Sequence, residues 1–268
     1  PGVGIAQLNR RLLLSGAACG LLSASVRTAR AQAGPRFSAA ARYSAERGGV
    51  SFILARHGIM LAEDYPSGGR PDARWPLGAG SRMLAALLAA SLAEDGLLRL
   101  DDAVALTLYE WGTHPIKNTI TIRALLSGTG GVAFAARDRR DLATALALEP
   151  AEAPGLRFDS DEAAYILFTE LARRKLAGAG IEQDPARYLT ARTLAPIGCV
   201  PVAWTRWPDG APRFDDGVAL SARAWAQVGE LVRREGVWRA QQLADDHALR
   251  EAQRGSFAEA RAGFGEAL

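Results

Sequence analysis

Few residues in this 268-residue chain are spaced to do chemistry. His57, His114 and His247 are scattered, and none forms a pair at the spacing zinc requires, so no metal and no other cofactor is expected. No Gly-x-Ser-x-Gly turn occurs, which argues against a Ser-His-Asp hydrolase of the nucleophile-elbow type. Cys199, beside Val200 in an apolar context, reads as a core residue. Ser81 stands at the start of an apolar run, where a serine nucleophile needs a base one helical turn away, as the amine of a Ser-x-x-Lys site provides. Here Leu84 holds that place. Arg82, the next residue, stays charged at any relevant pH and cannot be the base. Ser81 is therefore expected to cap backbone N–H groups of the first turn. Arg82 at a helix N-terminus is the candidate for holding an anion such as a carboxylate.

The element that must position these residues runs from Trp75 to Val104. Leu84, Leu88 and Leu92 recur four apart with Leu87 beside them and alanines between, the pattern of a helix enclosed on several sides. Gly96 supplies a left-handed residue to end it, and Leu97, Leu98 and Leu100 pack as the chain turns back. Upstream, the runs from Val50 to Arg56 and from Ile59 to Tyr65 are joined by His57-Gly58, a hairpin signal. Residues 66–74, rich in Gly, Pro and Ser, form the loop that follows. Downstream, Thr121 is placed to cap a short helix from Ile122 to Gly128, a helix is expected from Glu162 to Lys175, and Ser221 is placed to cap one carrying Trp225, Val228 and Leu231.

Glu94, Gly96, Leu98, Leu100, Asp101, Asp102 and Val104 together resemble the serine β-lactamase and penicillin-binding-protein-like family, in its class C β-lactamase, D-Ala-D-Ala carboxypeptidase and esterase branch. There the pattern reads Ala-Ser-x-Thr-Lys-x-Phe, an apolar helix, Glu-x-Gly-x-Leu and Leu-Asp-Asp-x-Val. Ile120-Thr121-Ile122-Arg123-Ala124-Leu125-Leu126-Ser127-Gly128-Thr129 is similar to the family's Ile-Thr-Ile-Arg-x-Leu-Leu-Ser-x-Thr element, with Gly130 at its final serine. Pro154, Gly155 and Phe158 match the lead-in to its Tyr-x-Asn motif, and residues 188–198 and 218–238 continue the likeness.

Counting back from Gly96 places Ala79 at the family's nucleophilic serine and Arg82 at its lysine, while Ser160 stands at the tyrosine and Glu162 at the asparagine. Alanine has no atom to attack an acyl carbon, and a serine hydroxyl cannot replace a phenol as acid or base near neutral pH. Tyr165, one turn into the next helix, is expected to pack. The resemblance implies an α+β, β-lactamase/transpeptidase-like fold with an antiparallel sheet flanked by helices and a further helical region. It also places a third motif, Lys-Thr-Gly or His-x-Gly, beyond Leu268, so the domain spanning residues 34–268 is expected to be incomplete at its C-terminus.

Residues 1–33 read as an export segment of the twin-arginine type. Asn9-Arg10-Arg11-Leu12-Leu13-Leu14 is followed by a short apolar stretch and by Ala31-Gln32-Ala33, a cleavage signature, so a periplasmic or secreted location is expected and no membrane span in the mature chain. Cleavage there would leave Cys199 as the one cysteine. The composition, 49% hydrophobic and 23% charged with a net charge of +3, is that of a globular domain and indicates no nucleic-acid partner. The basic runs at residues 137–140 and 173–175 are expected on solvated helix faces.

Three functions are compatible with these residues. The favoured one is an exported serine-hydrolase relative that has lost covalent catalysis and binds a small-molecule or peptide ligand through Arg82, Ser160 and Glu162. The second is an active β-lactamase, carboxypeptidase or esterase with a displaced nucleophile such as Ser81. The third is a module with no ligand in its cleft.

Overall fold

A computed structural model describes residues 37–262 except 201, 257, 260 and 261. The expected export segment lies outside the described residues. α1 (Ser38–Ala45) leads into a hairpin of β1 (Phe52–Arg56) and β2 (Ile59–Asp64). His57 and Gly58, at φ 50° and 77°, form its turn, and a bulge at Leu54/Ala55 shifts its register. β3 (Arg74–Pro76) then runs into a 3-10 turn (Gly78–Ser81) and the long α2 (Arg82–Glu94).

α2 is the axis of the core. Leu84, Leu87, Leu88 and Leu92 are fully buried, and the alanines between them let neighbouring helices approach. Ser91, also buried, donates its hydroxyl to the Leu87 carbonyl at 2.8 Å and lies 2.8 Å from the Thr193 hydroxyl, so its polar atom is satisfied inside the core. The helix ends as expected. Gly96 has φ 71°, its N–H reaches the Ala93 carbonyl at 2.9 Å, and the Leu97 N–H reaches the Leu92 carbonyl at 2.8 Å.

Around this axis pack α3 (Ile122–Leu126), α4 (Leu142–Ala147), α5 (Glu162–Gly178), α6 (Pro185–Leu189), α7 (Ala222–Arg233) and α8 (Asp246–Ala252). Thr121 caps α3 through the Ala124 N–H and Ser221 caps α7 through the Ala224 N–H, both as expected. Among the described residues the strands form three small antiparallel sheets rather than one. They are β1–β2, a trio ordered β3-β5-β4 with β4 (Ala203–Trp204) and β5 (Val218–Ser221), and β6–β7 (Val237–Trp238 and Gln241–Gln242). The mixture of helices and antiparallel strands agrees with the expected α+β class.

The two basic runs differ in outcome. Residues 137–140 lie in the loop before α4, not on a helix, and Arg140 stacks on Phe134, 4.8 Å from the ring centroid. Residues 173–175 do lie on a helix, with Arg173 exposed as expected, while Arg174 forms ion pairs with Glu110 and Glu170 at 2.7 and 2.6 Å. Cys199 is buried in the core as expected, and burial pushes its thiol up to about 12.

Candidate functional site

The entrance to α2 is fastened to β5. β3 and β5 pair as far as Pro76 and Ala219; one step on, the Leu77 N–H reaches the Val218 carbonyl at 2.8 Å, and the Ser81 hydroxyl accepts the Val218 N–H at 3.1 Å. Ser81 therefore continues the strand ladder into the turn. It is fully buried and makes no capping bond to α2, which corrects the expected capping role. The reason is conformational: Ser81 has φ −56° and ψ −30°, already helical, whereas a capping serine needs an extended backbone to turn its hydroxyl onto the next turn. Ala79 is exposed on the same 3-10 turn.

Arg82 lies one step further. Its Nη1 donates to the Ser160 hydroxyl, its guanidinium carbon sits 5.1 Å from the centroid of the Tyr165 ring, and its buried Nε has no hydrogen-bond partner. The two positions assigned by resemblance to the lysine and the tyrosine thus meet, although 78 residues separate them. Ser160 is carried there by the loop before α5. The Asp159 N–H bonds the Gly128 carbonyl and the Gly155 N–H bonds the Thr129 carbonyl, each at 2.8 Å. Gly128 has φ 68°, and a Cβ there would come within 2.7 Å of the Asp159 carbonyl oxygen, so this close approach needs glycine.

Asp161 then caps α5, accepting from the Ala163 N–H at 2.8 Å and from the Phe134 N–H at 3.2 Å. Glu162, a candidate ligand residue, turns away and pairs with Arg140 at 3.3 Å. It does not line the cleft described next.

Arg82, Ser160 and Tyr165 line a cleft of about 370 Å³ that also takes in the inner face of α2, the end of α3 and α8. Tyr165 packs as expected, but it also faces this space, and burial raises its phenol above the ordinary range. Asp215 and Asp216 share Arg213 at 2.7 Å each. Burial and the Asp215 charge raise the Asp216 carboxyl, while the positive charges of Arg213 and Arg82 oppose that rise. No ion pair joins Arg82 to a carboxylate among the described residues. Sequence spacing did not reveal Asp216, because tertiary folding alone brings it within electrostatic reach of Arg82. Tyr165 was signalled by standing one helical turn beyond Asp161.

A larger cavity, about 630 Å³, lies on the other flank of α5 beside Trp207, Arg173 and Arg206 and holds none of the candidate site residues. Among the described residues, no group of three or more His, Cys, Asp or Glu side chains is arranged to hold a metal ion, and no helix is long and apolar enough to cross a membrane.

Comparison with known proteins places this geometry. A family model described as Beta-lactamase matches residues 32–262. Curated proteins yield no match. Among solved structures, a candidate beta-lactamase from Bacteroides dorei DSM 17855 superposes with a TM-score of 0.68 at 20% identity over 82% of this chain and 68% of that one. A beta-lactamase/D-alanine carboxypeptidase from Pseudomonas syringae gives 0.59 at 15% identity over 79% and 67%. The D-alanine carboxypeptidase AmpC from Burkholderia cenocepacia gives 0.59 at 21% over 80% and 66%. The chain thus spans about two thirds of these three relatives, and 58% of two others. With the family model covering most of its length, and penicillin-binding-protein-like and esterase folds among its structural neighbours, the chain belongs to the beta-lactamase family.

Proposed function

We propose that this chain is an exported member of the beta-lactamase family that has lost covalent catalysis and holds a small molecule or peptide through a carboxylate at Arg82. The Arg82–Ser160 contact at the cleft carries this reading. Covalent catalysis of the family type requires a hydroxyl beside a base whose pKa can fall to meet it. Ala79 has no hydroxyl, Ser81 is buried with its oxygen engaged by Val218, and a guanidinium does not give up its proton. A guanidinium that forms no ion pair with a carboxylate among the described residues, next to a cleft, is suited to a bidentate hold on a carboxylate.

The chemical contrast is large. A working hydrolase exceeds the uncatalysed rate by at least about 10⁶-fold, whereas a site stripped of its nucleophile keeps on the order of 10³ to 10⁴. The test is to express the chain from residue 1, recover the exported fraction, treat it with a fluorescent penicillin and a fluorophosphonate, and analyse the peptides by mass spectrometry. The expected result is no labelled serine under conditions that modify an active relative, together with a mature N-terminus at Gly34. A labelled peptide containing Ser81, abolished by Ser81→Ala, would overturn the catalytic part of the reading. A chain retained inside the cell with its leader intact would overturn the export part.

A further inference from the structure

Resting on Arg82 as the carboxylate anchor, the balance of charge around the same cleft narrows the ligand. Most of the charged side chains that line it are satisfied within the protein. Arg123 is held by Asp101 at 2.8 Å and by Glu251 at 2.7 Å, and Glu251 is shared with Arg254 at 2.9 Å. Asp159 pairs with Arg157 at 3.0 Å. Asp161 accepts two backbone N–H groups at the N-terminus of α5, where the helix dipole also favours its charge. Two lining charges of opposite sign remain, those of Arg82 and Glu259.

Glu259 is held in place by backbone close to it in sequence. Its carboxylate accepts the Ser256 N–H at 2.6 Å and its own N–H donates to the Ser256 hydroxyl at 3.1 Å, the reciprocal pair of a capping box. That bond occupies Oε2 and leaves the charge without a cationic partner among the described residues. Arg82 is the converse, with a buried Nε that has no partner and a single hydroxyl acceptor. Tyr165 lies within electrostatic reach of both. Burial raises its phenol, the Arg82 charge opposes that rise, and the Asp215 and Glu259 charges add to it. A ligand that brings only a carboxylate to Arg82 sets a second negative charge in the cleft with Glu259. One that also brings an ammonium pairs both groups.

We infer that the cleft takes a small zwitterion, an amino acid held by its carboxylate on Arg82 and by its ammonium on Glu259. A cavity of about 370 Å³ falls within the size range of small-molecule sites.

The test is calorimetric titration of the whole chain with three amino acids of growing span, glycine, β-alanine and 4-aminobutyrate. Each is set against the acid that lacks its ammonium, namely acetate, propionate and butyrate. The amino acid that matches the span between the two protein charges is expected to bind at least about tenfold more tightly than its acid, the gain of one charge-assisted hydrogen bond. Glu259→Gln keeps an acceptor for the Ser256 N–H while removing the charge, so the variant is expected to fold, as thermal melts would check, and to lose that preference without losing the acid. Glu259→Asp, which keeps the charge, is expected to retain the preference. Arg82→Gln is expected to abolish binding of both series. If no amino acid binds more tightly than its acid, or if the preference survives Glu259→Gln, the zwitterion inference falls, and the carboxylate reading stands where Arg82→Gln still abolishes binding of the acids. If neither series binds, both fall.

Discussion

In its second half, α2 buries Leu88, Ser91 and Leu92, pairs the Ser91 hydroxyl with Thr193 and hands the chain on through Gly96 with its terminal carbonyls bonded. At its first turn the same helix carries Arg82, with an unpartnered Nε, beside an open cleft. At one end packing and hydrogen bonding constrain every neighbour, and a change of residue type is felt by the whole core. At the other, the side chain faces space, and a change of type alters what the space can hold. A scaffold can therefore keep its fold while the residues at its working end do different chemistry, which is why family membership alone does not assign an activity.

The strongest way to break this comparison is to truncate a residue at each end. Leu88→Ala is expected to destabilise the domain by about 2 to 5 kcal/mol, because it removes a fully buried side chain and leaves a cavity that the surrounding helices fill only in part. Arg82→Ala is expected to stay within about 1 kcal/mol of the parent while carboxylate binding is lost. Urea denaturation of both variants checks the pair. Equal destabilisation would mean that Arg82 is as much a part of the core as Leu88.

A smaller effect sharpens the contrast between paired and unpaired charge. Glu230 on α7 is held down to about 2 by hydrogen bonding from Arg233, then from Arg234, at 2.7 and 2.6 Å. Its folded-state pKa lies below its unfolded one, so its contribution to stability is complete above about pH 4.5 and fades as pH falls toward 2. Both arginines are well exposed, so solvent screening limits this contribution to about 0.5–1 kcal/mol. Glu230→Gln is expected to lower stability at pH 7 by that amount and to give a shallower decline between pH 4.5 and 2. Parallel acid-unfolding curves for the two proteins would contradict this.

What the sequence disclosed follows the same division. The leucine spacing of α2, the left-handed Gly96, the His57-Gly58 turn and the caps at Thr121 and Ser221 are local signals, each fixed by backbone geometry within a few residues, and the structure bears them out. Ser81 was misread as a cap because its partner, the Val218 N–H, lies 137 residues away and the preceding 3-10 turn had already set its backbone helical. Glu162 was grouped with Arg82 by motif position, yet it bonds Arg140, on a loop whose path no periodicity reveals. The electrostatic reach of Asp216 to Arg82 depends on how the β3–β5 ladder fastens the start of β5 to the turn before α2, which tertiary folding alone determines.

Ser160 gives the smallest expected effect and the finest test of the working end. Its side chain is exposed, so Ser160→Ala is expected to change stability by no more than about 0.5 kcal/mol. Its hydroxyl nevertheless accepts from Arg82 and holds a long, rotamer-rich side chain in one orientation over Tyr165. Without that bond the guanidinium must be ordered by the ligand, at about 0.5–1.5 kcal/mol for an immobilised side chain of this length. Carboxylate affinity is therefore expected to fall about threefold to tenfold with Arg82 still in place. Ser160→Thr, which keeps the acceptor oxygen, is expected to restore most of it. If Ser160→Ala binds as tightly as the parent, Arg82 is oriented by stacking on Tyr165 alone, and the contact between the lysine and tyrosine positions is a neighbour relation with no part in holding the ligand.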